Sequence, residues 1–368
     1  MNSTAVERTP AERMRLRAAL IERIGGYMTA HSIGLAAELG LADLIKDGIR
    51  DSKELAAESG THEPSLRRLL RTLAAVGITT EPEPGRFALT DVGAQLRSDS
   101  PDSLRAFSRV FCHPSLFAAW AGLGHTVSTG EPGYDQVFGK DFYSHLSEQA
   151  DLSALFNEAM GEESRIAAGQ LAAGYDFSGV EKVVDLGGGD GTLLAAVLPR
   201  YPQLRGVVFD SQSGVAEAPG VLKEAGVTDR CEVVAGDFFQ DIPGDGDLYI
   251  IKSVFQDWSD EDSVALLHSV RGQIPESATL LIVGTVLPET ASPEHPIMFF
   301  TDLNMLVNTG GRERTESEFR AMLAATGFAV ESVGIGAAGP LSIIKATPAP
   351  DSAPASGSAP GSGSDSAR

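Results

Sequence analysis

The chain is poor in cysteine: Cys112 and Cys231 are the only two among 368 residues. Two thiols make neither a disulfide framework nor a zinc site, and both read as small buried hydrophobes. Basic residues are also scarce, with 29 Lys and Arg against 50 Asp and Glu, for a formal charge of −21. Neutralising phosphates takes Lys and Arg in number, and no dense basic run is present, so nucleic acid is disfavoured as a partner. Long apolar runs are missing too: no segment approaches the roughly 18 continuous apolar residues of a membrane helix. The N-terminal MNSTAVERTPAERMRLR lacks the apolar core of a signal peptide. These absences predict a cytoplasmic protein with no membrane partner, long enough to bury sizeable cores in about two domains.

What the chain does have is a glycine cluster set between two apolar segments, Lys182 to Pro202, KVVDLGGGDGTLLAAVLPRYP. Val183 and Val184 suit a buried strand, Gly187, Gly188, Gly189 and Gly191 admit close backbone approach, and helical apolar spacing resumes from Thr192. A glycine-rich turn alone can simply tighten a strand-to-helix connection, so the acids downstream carry the functional reading. Gly206 to Phe209 is a second apolar strand and ends in Asp210, about 25 residues after Asp185, where nucleoside-binding folds place the carboxylate that accepts ribose hydroxyls. A third strand, Cys231 to Val234, leads into Gly236-Asp237-Phe238-Phe239, and a fourth, Asp247 to Ile251, ends in Lys252. Four strands with polar carboxyl ends define one crevice, the ligand site of open α/β sheets.

The ligand predicted for that crevice carries no phosphate. The run GGGDGT puts Asp190 where a diphosphate would be repelled, and no Lys-Ser/Thr pair follows to make a P-loop. Asp185, Asp190, Asp210 and Asp237 suit a cationic nucleoside. S-adenosylmethionine has that chemistry: a sulfonium and an ammonium, a ribose for an acid, and an adenine to lie against Phe238.

Ahead of this core, residues 11–45 are rich in helix formers, broken at Gly25-Gly26. Asp51 is an N-cap candidate, Pro64 opens a helix running to Leu73, and Gly77 stops it. Ile78 to Thr80 and Arg86 to Thr90 then read as a short hairpin. Helix, helix, hairpin is a winged-helix order. Arg67, Arg68 and Arg71 would meet phosphates in a DNA reader, but in so acidic a chain they read as a solvated helix face. The fold class predicted is α/β, a Rossmann-like domain preceded by a mainly helical winged-helix domain. Residues 1–100 form the winged-helix-like part and 101–165 a helical linker with Trp120, Phe138, Phe142, Tyr143 and Phe156. Residues 166–347 form the ligand-binding domain, closed by a capping box at Thr315 and a hairpin of Phe328 to Ile335 with Leu341 to Lys345. Residues 348–368, mostly Pro, Ala, Ser, Gly and Asp, read as a disordered tail.

The chain resembles the class I S-adenosylmethionine-dependent small-molecule O-methyltransferases of the caffeate methyltransferase type, including bacterial enzymes of natural-product pathways. The resemblance covers most of the chain and rests on DLGGGDG at 185–191, FD at 209–210, GDFF at 236–239, KSVFQDWSDED at 252–262 and DLNMLVNTGGRERTESEF at 302–319. It implies a homodimer built through the winged-helix domain and methyl transfer to a small aromatic or polyketide-like metabolite of antibiotic or other secondary metabolism, O-methylation first, with C- or N-methylation open. It further implies that Asp185, Gly187 and Gly189 line the methionine end and that Asp210 takes the ribose. By the same resemblance Gly236, Asp237 and Phe238 hold the adenine, Lys252 closes the crevice, and Met160 and Ser164 touch the cofactor from the opposite side. Met160 and Ser164 read equally well as packing residues.

The resemblance breaks at the chemistry. Where the family carries His-Asp-Trp, with the histidine as general base, this chain has Gln256-Asp257-Trp258, and the acid that orients the histidine in the plant enzymes aligns with Gly284. Glu313 remains as the second family acid. A carboxamide has no protonation equilibrium near neutrality, whereas imidazole titrates at about 6.5. Three readings stay open. Alignment alone drives transfer, since a general base supplies only about 100- to 10,000-fold. Alternatively, Asp257, Glu313, His295 or Asp302 serves as base. Or the fold binds S-adenosylmethionine yet catalyses hydroxylation, decarboxylation or cyclisation. A regulator that senses S-adenosylmethionine fits the winged-helix order but not the charge. No metal is expected, because Gln256 and Asn308 stand where some relatives place iron-binding histidines.

Restoring the base gives the first prediction. Gln256→His is expected to raise methylation of a phenolic acceptor, by up to the roughly 100- to 10,000-fold of general-base catalysis, with a new limb in the pH–rate profile rising through about pH 6.5 as the imidazole loses its proton. Turnover by Gln256→Ala equal to that of the parent would show that the Gln256 side chain takes no part.

Overall fold

The computed structural model describes residues 8–335 and 341–350. It divides into two compact units, one running to Gln170 and taking in Phe300–Arg312, the other formed by Leu171–Phe299 and the chain from Glu313.

The first unit begins with helices Pro10–Ile24 and Gly26–Glu38, parted at Gly25 as the glycine pair predicts. Thr9 and Glu12 form a reciprocal capping box on the first of them. No residue of that helix is buried, and Met14, Leu16, Leu20, Ile21 and Ile24 all stand exposed. The helix Ser52–Ser59 is capped by Asp51, which accepts from Lys53 N at 2.9 Å. The helix Glu63–Ala75 carries Pro64 in its first turn and buries Leu66, Leu70 and Leu73, an i, i+4, i+7 stripe. Three short strands complete the winged helix: β1 (Arg50–Asp51), β2 (Thr79–Glu83) and β3 (Arg86–Leu89), in the order β1-β3-β2. Arg67 and Arg71 lie 4.0 and 3.1 Å from the Glu81 carboxylate. Two of the three clustered arginines therefore pair with the wing.

A second cluster in this unit packs Ala106, Val110, Leu116, Tyr134 and Phe142 with Val307 of the returning segment. Trp120 donates from Nε1 to Asn304 Oδ1 at 3.0 Å, and Asn308 Nδ2 donates to the same oxygen at 2.9 Å. Glu162, 4% exposed, sits on the long helix Ala150–Gly174 and accepts from Ala106 N and Phe107 N at 3.1 and 2.8 Å. Its charge meets the N-terminal end of the helix Arg105–Phe111, where unpaired N–H groups favour an anion.

The second unit is built on β4 (Lys182–Leu186), β5 (Arg205–Asp210), β6 (Cys231–Ala235), β7 (Leu248–Lys252), β8 (Thr279–Leu287), β9 (Arg314–Thr315), β10 (Phe328–Ile335) and β11 (Leu341–Pro348). These make an eight-stranded sheet in the order β10-β11-β8-β7-β4-β5-β6, with β9 paired to β8. Strands β4 to β8 pair in parallel, while β11 is antiparallel to both β8 and β10. Val183 to Leu186 and Leu248 to Ile251 are buried throughout, the mark of parallel strands covered on both faces. The Thr315 capping box and the terminal hairpin are present, and Ala349 N donates to Gly327 O, so paired backbone extends past Thr347. The tail expected to be disordered lies, from residue 351, outside the described residues. Among the described residues, no helix is long and apolar enough to cross a membrane.

Glu162→Ala removes the acceptor of two main-chain N–H groups within the first unit. The variant is expected to lose about 2 kcal/mol of stability, seen as a lower urea midpoint at unchanged m-value. An unchanged midpoint would show that water replaces the carboxylate at that helix end.

Candidate active site

The chain runs from β4 outward through β5 and β6, then crosses back to β7 on the other side of β4. Connections leave the carboxyl ends of β4 and β7 in opposite directions, which opens a crevice between them. Leu186 lies level with Phe209 and Ile251, and Asp210 with Ala235, so the strand ends meet in one rim.

The glycine turn forms the floor. Gly187 N and Gly188 N both donate to Phe209 O, at 2.8 and 3.2 Å, and Gly189 N donates to Asp210 Oδ2 at 3.0 Å. Gly191 N goes to Gly188 O, and Thr192 N to Asp190 Oδ1 at 3.0 Å. An anion cradle needs free N–H donors; these five are engaged within the protein. Asp190 is also occupied, since its other oxygen accepts from Thr192 Oγ1 at 2.9 Å. It caps a turn and is not held out toward a ligand. Gly187 has φ of +80°, and a Cβ there would meet Val254 Cγ2 at 2.8 Å and Phe238 Cζ at 3.4 Å. A side chain at this position would therefore both strain the backbone and fill the crevice.

Asp185 lies within the buried run of β4, one residue before its end, and is 1% exposed, and neither carboxylate oxygen has a hydrogen-bond partner. Burial pushes its pKa up to about 7, against the attraction of Lys252 and with the repulsion of Asp210 and Asp190 adding to the rise. An unpartnered buried carboxylate costs free energy unless something meets it. A cationic ligand does so.

Asp210 is half-buried and does more than face the crevice. Besides holding Gly189 N, its Oδ1 accepts from Ser211 N at 2.6 Å, and its carbonyl accepts from Gly236 N at 3.0 Å. A Cβ on Gly236 would lie 2.5 Å from Phe209 Cε2, so only glycine lets the chain pass that ring. Asp237 is exposed, with its carboxylate taken by Phe239 N and Gln240 Nε2 at 2.9 and 3.0 Å. Phe238 stands edge-on to Phe209 and to Trp258, at ring separations of 5.9 and 6.3 Å. These rings offer a planar base an apolar wall.

On the β7 side, Lys252 ends the strand and is followed by Ser253 at φ +55°, the one non-glycine residue in that region among the described residues. Ser253 N donates to Val283 O at 2.9 Å, which ties the turn to β8. The turn Phe255–Asp257 holds Gln256 and Asp257, both half-buried. Gly284 follows Val283 on β8, and a Cβ there meets nothing within 4 Å. Glu313 is 4% exposed and immediately precedes β9. Of the other candidates, His295 is exposed, while Met160, Ser164 and Asp302 belong to the first unit. Met160 packs against that unit's aromatic cluster. Among the described residues no three His, Cys, Asp or Glu cluster as metal ligands. Sequence reasoning gave no role to Ser253, Trp258 or Arg314. Serine is unremarkable by composition, and a left-handed backbone leaves no mark on a single sequence.

A family model of the O-methyltransferase domain matches residues 120–329, and one of the O-methyltransferase dimerisation domain matches residues 21–99. The chain belongs to the O-methyltransferase family. This O-methyltransferase is 45% identical over 340 residues to O-demethylpuromycin-O-methyltransferase of Streptomyces alboniger, covering 89% of this chain and 88% of that protein. It is similar to the solved structure of mitomycin 7-O-methyltransferase, at 38% identity and a TM-score of 0.83 over 93% of this chain and all of that one. An O-methyltransferase from neocarzinostatin biosynthesis, solved with S-adenosylmethionine and 2-hydroxy-5-methyl naphthoic acid, is 32% identical at a TM-score of 0.72, over 87% of this chain and 96% of that one.

The buried carboxyl of the O-methyltransferase has a pH signature. With a folded pKa of about 7, above an unfolded value of about 3.9, the folded state binds the extra proton between these values. Stability is therefore lost as pH rises through that window. The Tm difference between Asp185→Asn and the parent is expected to be small at or below about pH 4, to grow between about pH 4 and 7, and to reach a plateau in the variant's favour above about pH 7. A pH-independent difference would show that Asp185 does not titrate there.

Proposed function

We propose that this O-methyltransferase acts as a cytoplasmic homodimer, transferring a methyl group from S-adenosylmethionine to a hydroxyl of a small aromatic or polyketide-like secondary metabolite. The observation that carries the reading is Asp185, a buried, unpartnered carboxylate beneath a glycine turn whose N–H groups are already engaged. That pairing suits a cationic nucleoside without phosphates. Membership of the family, and relatives named for O-demethylpuromycin and mitomycin, support the reaction and the acceptor class. The dimerisation-domain match and the exposed apolar side chains of the first helix support the homodimer.

When bound, S-adenosylmethionine supplies an electrophilic methyl group on a sulfonium sulfur. Asp185 faces the cationic end, with Gly187 and Gly189 leaving room beside it. The lone pairs of Asp210 not used by Gly189 and Ser211 accept the ribose hydroxyls. Phe238 flanks the base, Gly236 and Asp237 set its edge, and Lys252 balances the acids. Met160 and Ser164, one helical turn apart in the first unit, keep the cofactor role that the resemblance gives them. Gln256 orients the acceptor hydroxyl through its amide, with Asp257 and Glu313 beside it. An acidic phenol needs little help in losing its proton, so alignment bears most of the rate.

The same Gln256 favours a second reading, in which the fold catalyses hydroxylation, decarboxylation or cyclisation without transfer. Methyl-labelled S-adenosylmethionine with phenolic polyketides separates the two. Label is expected in the product, and product that forms while all label stays on the donor would exclude transfer. For the donor site, calorimetry of Asp210→Ala with S-adenosylhomocysteine is expected to show a Kd at least about tenfold higher, roughly 1.4 kcal/mol. Unchanged affinity would contradict the ribose assignment.

A further inference from the structure

Among the described residues Arg314 is one of the largest fully buried side chains, 2% exposed. Its guanidinium meets four groups on one stretch of chain. Nη1 donates to Phe255 O at 2.7 Å, Nη2 to Trp258 O at 3.0 Å and to Ser263 Oγ at 3.1 Å, and Nε to Asp260 Oδ1 at 2.9 Å. The two carbonyls belong to the residues on either side of Gln256-Asp257, so one rigid planar group grips both ends of that turn. Arg314 is itself fixed by β9, where it lies level with Val286 of β8, two residues beyond Gly284. The turn is strained at its entry by Ser253 at φ +55°, and a strained segment persists only where its surroundings hold it.

We propose that Arg314 is a positioning residue that sets the Gln256-Asp257 turn for the reaction. It acts through the turn and touches no reacting atom. The carbonyl oxygens of Phe255 and Trp258 cannot move independently while bonded to one fork, and the five donors of a guanidinium suit that task where a lysine ammonium does not. Asp260, on the first turn of the helix Asp260–Gln273, partly balances the buried charge at 2.8 Å from Nη2. The Glu313-Arg314 dipeptide thus couples the end of β8, the turn and the start of that helix.

The inference rests on the methyl-transfer reading, and its test has an arm that does not. In a Trp120→Phe background, Trp258 is the only tryptophan, and its emission reports on the clamped turn. Arg314→Lys is expected to shift that emission and to lower kcat by about 100-fold, the cost of slight misplacement. S-adenosylhomocysteine affinity by calorimetry, and acceptor KM, stay within a few-fold. Arg271→Lys is the control, since Arg271 is also mostly buried and donates to a main-chain carbonyl, Gly327 O, far from the turn. A merely structural role for Arg314 predicts that both variants lose activity in proportion to stability. That result, or unshifted Trp258 emission in Arg314→Lys, overturns the proposal. Should Arg314→Lys fail to fold, Ser263→Ala removes a single anchor and is expected to lower kcat several-fold with the same emission shift; no shift there also overturns it. If the parent transfers no label at all, the methyl-transfer reading fails, while the emission arm still decides the clamp.

Discussion

The site hangs on two hydrogen bonds to one atom, the Phe209 carbonyl oxygen that receives both Gly187 N and Gly188 N. This stitch folds the end of β4 across the end of β5 and turns the glycine loop's amides inward. From it follow the binding of Gly189 by Asp210, the isolation of the Asp185 carboxyl beneath the loop, and the apolar wall where Phe238 leans toward Gly187. A loop with the same glycines and outward amides would bind phosphate. Here the donors are engaged and the acids remain.

The destabilisation this creates is local and directional. Burying Asp185 without a partner opposes folding, and the large parallel sheet offsets it: Val183, Val184, Leu186, Ile250 and Ile251 are essentially inaccessible. A stable core carries a strained rim, with Asp185 and Ser253 at the carboxyl ends of adjacent strands. Functional sites commonly hold such strain where a rigid frame over-determines it.

Much of this frame was legible in the chain. Apolar runs ending in Asp185, Asp210, Gly236-Asp237 and Lys252 marked four strands and their edge, because parallel strands buried on both faces leave an unbroken apolar signature. Caps at Asp51 and Thr315 were equally plain, since the side chains that satisfy helix ends are few. Less legible was the division of labour among the acids. Asp190 looked like a ligand group and is a cap, while Asp210 looked like a ribose acceptor and also organises the loop. Counting carboxylates cannot tell which are already taken. Arg314 was invisible for the opposite reason, because the two partners that bracket the turn are carbonyl oxygens, which every residue has.

Gly284 leaves room at the edge of the turn. Its Cβ position is open on a strand that is otherwise packed, one residue beyond the carbonyl that anchors the Ser253 turn. A side chain at this position would be admitted without a clash at its Cβ. The register of β8 is set elsewhere, by its pairing with β7, β11 and β9. Substitution at Gly284 can therefore change the chemistry beside the turn without disturbing the packing that holds the strand.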